Sequence, residues 1–96
     1  MSDGQVCRHV IIKGIVQNVG FRDYTYRAAK NIGGLLGWVR NLDNGDVEIL
    51  VQGPLSKIEE FIKCCHQGPP KARVDVVTAT EVSVETGLGS FAIRRG

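Results

Sequence analysis

The stretch GIVQNVGFRDY, from Gly14 to Tyr24, gathers the residue types that can hold an anion. A β-branched run meets Gly14 and passes through Gln17, Asn18, Val19 and Gly20. It then delivers Phe21 and Arg22 into a segment with helical periodicity. In such a strand–loop–helix passage the backbone N–H groups of Val16 to Phe21 can converge on one point. The first turn of the helix adds partial positive charge and unpaired donors there, and phosphate suits them best. Arg22 adds a full charge and a planar fork that matches two phosphate oxygens. The alternative is a tight turn whose arginine pairs with a surface carboxylate. The spacing alone leaves both readings open.

Other residue types offer less. His9 falls within a strand and His66 at a helix end beside a glycine–proline turn, so both are read as structural. Cys7, Cys64 and Cys65 form no CxxC pair, and the adjacent Cys64 and Cys65 cannot chelate together or form a relaxed disulfide. Free thiols in a reducing compartment are expected. Asp43 and Asp46 flank a turn, where Asp is favoured locally, and are too isolated for a Ca²⁺ or Mg²⁺ site. Trp38 is read as packing. Lys71 and Arg73 are read as surface charge near a sheet edge. Neither a metal nor a cofactor is expected.

The anion-binding passage needs elements to hold it. Val6 to Val16 reads as a strand with Val6, Val10 and Ile12 on one face. Phe21, Tyr24, Ala28 and Ile32 recur at helical spacing until Gly33-Gly34 stops the helix. Leu36–Asn41 and Val47–Gln52 are strands joined through Asn44-Gly45, a hairpin signal. Ser56 and Glu59 match a capping box, followed by a helix lined by Ile58, Phe61, Ile62 and Cys65 and ended by Gly68-Pro69-Pro70. Ala72–Val82 reads as a strand with Val74 and Val76 inward, and Phe91 and Ile93 suit a short last strand. The order β-α-β-β-α-β predicts an α+β, ferredoxin-like split βαβ sandwich. In it an antiparallel sheet is covered on one face by two helices.

With 96 residues, the chain is expected to be one domain spanning 1–96. Composition is that of a soluble globular protein, at 43% hydrophobic and 23% charged residues. No apolar run approaches the roughly 20 residues that span a bilayer. The opening residues lack the layout of a secretion signal. A cytoplasmic monomer with no membrane partner is therefore expected. The net charge of +2 is too small for a nucleic-acid footprint, though it favours small anions.

Two segments together, GIVQNVGFR and GWVRNLDNGDVE, closely resemble the acylphosphatase family. The first of that family's motifs runs G-x-V-Q-G-V-x-F-R. The likeness continues through VQGP (Val51 to Pro54), GPPKARV (Gly68 to Val74) and FAIRR (Phe91 to Arg95), and so spans nearly the whole chain. The resemblance implies metal-independent hydrolysis of the carboxyl–phosphate bond in small acyl phosphates, with inorganic phosphate as product and competitive ligand. It assigns phosphate binding to Arg22, orientation of the attacking water to Asn41, and the cradle to the backbone of Val16, Gln17, Asn18, Val19, Gly20 and Phe21. Asn18 stands where the family has glycine, and the stretch around Gly33-Gly34 is one residue longer than usual.

The chemistry is coherent. The leaving carboxylate of an acyl phosphate has a pKa of about 4 to 5, like Asp and Glu, and departs without a general acid. Phosphoryl transfer then needs mainly positioning and charge stabilisation. Binding modules of the same topology fit less well. An RNA-recognition sheet needs stacking aromatics, and neither Val6–Ile12 nor Val47–Val51 contains one. A metal chaperone needs a CxxC loop. A phosphate- or carbamoyl-phosphate-binding domain with reduced turnover is the closer rival, and binding without hydrolysis would distinguish it.

Overall fold

A computed structural model describes residues 4–95. The elements run β1 (Gln5–Ile15), α1 (Phe21–Ile32), β2 (Leu36–Asn41), β3 (Val47–Pro54), α2 (Leu55–Gln67), β4 (Arg73–Val82) and β5 (Ala92–Ile93). The sheet order is β4-β1-β3-β2-β5. Four strands pair antiparallel, whereas β5 pairs parallel with β2, so the expected antiparallel sheet is a mixed one. Both helices pack on one face, over Val10, Ile12, Val39, Val47, Ile49 and Val51, all fully buried.

Three phenylalanines anchor helices and strand to the core. Phe21 opens α1, Phe61 lies midway along α2, and Phe91 precedes β5; all three are buried. The Phe61 and Phe91 rings meet at 5.4 Å between centroids. Truncation of such a ring costs about 3–5 kcal/mol, so the start of α1, the middle of α2 and the approach to β5 are tied firmly to the core.

Three details differ from the sequence expectation. On α1 the buried line is Phe21, Thr25 and Ala29, while Tyr24, Ala28 and Ile32 flank it on the side of α2. Thr25 is tolerated there because its hydroxyl donates to Arg22 O at 2.9 Å. Helix α2 starts at Leu55 after an extended Pro54, with no side-chain cap hydrogen bond. Ser56 and Glu59 therefore lie within the helix and form no capping box. On β4, Val74 and Val77 pack on the core while Val76 is 48% exposed. The cause is a bulge. Lys13 pairs with Val76 but Gly14 pairs with Val74, which leaves Asp75 as the extra residue and reverses the alternation beyond it. Gly14 permits this, with φ 136° and so close an approach that a Cβ there would lie 2.0 Å from Arg73 O.

Candidate active site

The bulge at Gly14 redirects the chain out of β1 and into the loop Val16–Gly20. Val16 and Phe21 are buried at its two ends, which leaves Asn18 and Gly20 exposed between them. Asn18 has φ 61°, and among the described residues it is the one non-glycine residue with positive φ. This is the left-handed region, which suits the glycine that the family has at this position and which asparagine tolerates better than other side chains do. Gly20 is the N-cap of α1 with φ 81° and offers no side-chain cap. The first N–H groups of a helix have no intrahelical acceptor, so at this end they remain open to an anion.

A cavity of about 230 Å³ lies over this helix end, lined by Val16, Asn18, Gly20, Phe21, Arg22, Asp23, Asn41, Ile93 and Arg95. Two distant segments thus bring Arg22 and Asn41 to one place. The Arg22 guanidinium has no hydrogen bond or ion pair among the described residues. The neighbouring carboxylate, Asp23, pairs instead with Arg27 at 3.0 Å. This argues against an arginine held for a surface ion pair. Asn41 Oδ1 is buried with no hydrogen-bond partner among the described residues, an uncommon and costly condition that marks a polar position facing a ligand or water.

Of the loop residues, the sequence reading enlisted only the backbone, and it missed what Gln17 does with its side chain. Gln17 Nε2 donates to Leu42 O at 2.7 Å and to Asp46 O at 2.9 Å. These carbonyls belong to the turn that follows Asn41, so one amide fixes the loop against the β2–β3 hairpin. Asp46 stiffens that turn by accepting from Lys13 Nζ at 2.7 Å and Asn44 Nδ2 at 3.2 Å. Ile93 and Arg95 also escaped the sequence reading as cavity residues, because only the pairing of β5 with β2 brings them there.

The residues set aside stay outside the cavity. His9 Nε2 lies 2.7 Å from Glu48 Oε2, on the helix-free face. Arg40 Nε also donates to Glu48. Burial acts to raise the Glu48 carboxyl, but hydrogen bonds and charge from His9 and Arg40 outweigh it and hold the group below the usual carboxylate range. Trp38 packs, as expected, but against cations and not in the core: its ring lies 4.8 Å from the Arg94 guanidinium and 5.5 Å from that of Arg40. The three cysteines are free, and burial pushes each thiol up, so none is a ready nucleophile. Among the described residues no cluster of His, Cys, Asp and Glu could hold a metal ion, and no helix is long and apolar enough to cross a membrane.

Fold and cavity together define a ferredoxin-like α+β structure with a cavity at the start of its first helix, lined by Arg22 and Asn41. The acylphosphatase family model matches residues 8–93. The acylphosphatase of Haloquadratum walsbyi is 42% identical over 95 residues, covering 99% of this chain and all of its own. That of Trichormus variabilis is 45% identical over 87 residues, covering 91% of this chain and 84% of its own. The crystal structure of acylphosphatase from Bacillus subtilis superposes with a TM-score of 0.88 at 35% identity, covering 93% of this chain and 98% of that one. The chain belongs to the acylphosphatase family, hydrolases of acid anhydrides that cleave acyl phosphates.

Proposed function

We propose that the cavity over α1 is the catalytic site and that it works without a metal. Arg22 grips two phosphoryl oxygens through its fork, and the backbone N–H groups from Val16 to Phe21 surround the phosphoryl group. Asn41 Oδ1 accepts a hydrogen bond from a water and aims that water at phosphorus. The carboxylate leaves directly and unprotonated, since it is a weak base whose conjugate acid has a pKa of about 4 to 5. The attacking water loses its proton late, to the phosphoryl oxygens, so no side-chain base is required. Charge developing on the equatorial oxygens meets donors already in place, the usual source of catalysis in phosphoryl transfer.

The observation that carries this reading is the pairing, in one cavity, of an arginine and an asparagine oxygen that both lack a protein partner among the described residues. The substrates are small acyl phosphates, and inorganic phosphate is both product and competitive ligand. The same reading makes the enzyme a cytoplasmic monomer, with three free thiols in keeping with a reducing compartment.

The test is phosphate release from acetyl or benzoyl phosphate, with and without a chelator, for the wild type and Asn41→Ala. Full activity with chelator is expected for the wild type. Asn41→Ala is expected to lose turnover while still binding phosphate within a few fold. Activity that disappears with chelator and returns with a divalent cation overturns the metal-free mechanism. A parallel collapse of phosphate affinity in Asn41→Ala overturns the role given to Asn41.

A further inference from the structure

The geometry points to Arg95 as a second anion-binding residue of this cavity, presented to the phosphoryl group by strand β5. The inference rests on reading the cavity as the phosphate site. It begins from a shortfall in charge. A phosphoryl group carries about −1.5 to −2 at neutral pH, and hydrolysis of an acyl phosphate yields two anions where there was one molecule. Against that, Arg22 supplies one positive charge and the helix end about half of another. Among the described residues the one carboxylate lining the cavity, that of Asp23, is already paired with Arg27. Arg95 lines the same cavity, and no hydrogen bond or ion pair engages it among the described residues.

The way β5 is mounted gives this placement its physical basis. Phe91 is buried against Phe61 and fixes the start of the strand in the core. Ala92 and Ile93 pair with Trp38 and Val39, and Arg94 N donates to Val39 O at 2.8 Å. Side chains alternate along an extended segment, so Phe91, Ile93 and Arg95 share the helix-covered face while Arg94 takes the other. There Arg94 stacks on Trp38. That contact, together with the ladder, holds the segment that carries Ile93 and Arg95 over the end of α1. Trp38 thus acts at the site through β5, and Arg95 acts by charge at its rim.

A rim charge chiefly alters capture of the anion and its salt dependence, whereas the Arg22 fork acts on bound phosphate. Arg95→Gln is expected to raise KM for benzoyl phosphate, and the inhibition constant of inorganic phosphate, by about three- to tenfold. Its kcat should stay within about twofold and its melting temperature unchanged, since the side chain is exposed. The dependence of KM on ionic strength should flatten. Arg95→Lys should restore most of the affinity, because charge and not fork geometry is what Arg95 supplies. Lys71→Gln, an exposed residue outside the cavity, makes the same change in net charge and serves as the control. If Arg95→Gln behaves like Lys71→Gln in KM, phosphate inhibition and salt dependence, the inference is wrong. Phosphate binding to Arg22→Ala, measured in parallel, separates the two levels. Loss of binding there with none in Arg95→Gln removes Arg95 alone, whereas unchanged binding in Arg22→Ala removes the reading of the cavity and Arg95 with it.

Discussion

Gln17→Leu keeps the side-chain volume and removes the amide that ties the phosphate loop to the hairpin carrying Asn41. Two hydrogen bonds are lost, at 2.7 and 2.9 Å. Neither carbonyl is orphaned by the change: Leu42 O still accepts from Gly45 N at 3.2 Å, and Asp46 O still accepts from Leu42 N at 2.9 Å. The penalty for a buried unsatisfied group therefore does not apply. The net worth of two ordinary hydrogen bonds, about 1–3 kcal/mol together, is the appropriate figure. Taken at about 2 kcal/mol, this lowers the melting temperature by about 8–16 °C in a domain of this size. The effect on catalysis should be larger than stability alone accounts for. A displacement of about 1 Å between bound phosphate and oriented water can cost on the order of 10²-fold in rate, so kcat should fall about 10- to 100-fold. Both quantities come from thermal unfolding followed by circular dichroism and from initial rates on benzoyl phosphate well below the variant's melting temperature. A variant that is destabilised as stated but keeps its kcat would show that the loop and Asn41 hold their alignment without Gln17. The coupling argued here would then be refuted.

Arg22→Ala should abolish phosphate binding and turnover with the fold intact, since Arg22 has no protein partner among the described residues, and Arg22→Lys should rescue poorly because a point charge lacks the fork; near wild-type rates for lysine contradict the bidentate role. Asn18→Gly should leave stability nearly unchanged, as relief of left-handed strain is offset by added freedom in the unfolded chain, and should leave activity equal or higher. Asn18→Val should cost about 2 kcal/mol and weaken phosphate binding, because a β-branched residue adopts φ near 61° poorly; melting temperature and phosphate affinity read both. Glu48 is held below the usual carboxylate range, so its stabilising contribution is complete above the unfolded pKa of about 4.3 and is lost as pH falls through the lower folded value. Glu48→Gln should flatten that acid limb of the stability curve, and an unchanged pH profile of urea unfolding would remove Glu48 from the account.

What the sequence made legible follows from the range over which each signal acts. Leu36–Asn41 was bounded as observed, and α1 was begun at Phe21 and stopped before Gly33, because glycine and asparagine punctuation is local. The left-handed backbone of Asn18 accords with the glycine that the family motif has at its place. The inward face of β4 could not be read, since the bulge at Asp75 exists only through its pairing with β1. The α2 capping box misled because Pro54, extended at φ −60° and ψ 141°, is the N-cap, so the helix starts at Leu55, one residue before Ser56. Arg22 and Asn41 are singled out together only by the family motifs, and the fold brings both to one cavity. The Gln17 clamp and the Ile93–Arg95 wall are contacts across 25 or more residues of chain and leave no local trace.

Hydrolysis of benzoyl phosphate in water enriched in ¹⁸O tests the central claim most directly, with the label located by mass spectrometry in the two products. A water aimed by Asn41 at a phosphoryl group held by Arg22 and the loop attacks phosphorus, so the label should appear in inorganic phosphate with the benzoate unlabelled. Label in the benzoate instead would mean attack at the carbonyl carbon, and the cavity would then be an acyl-transfer site and not the phosphoryl-transfer site described.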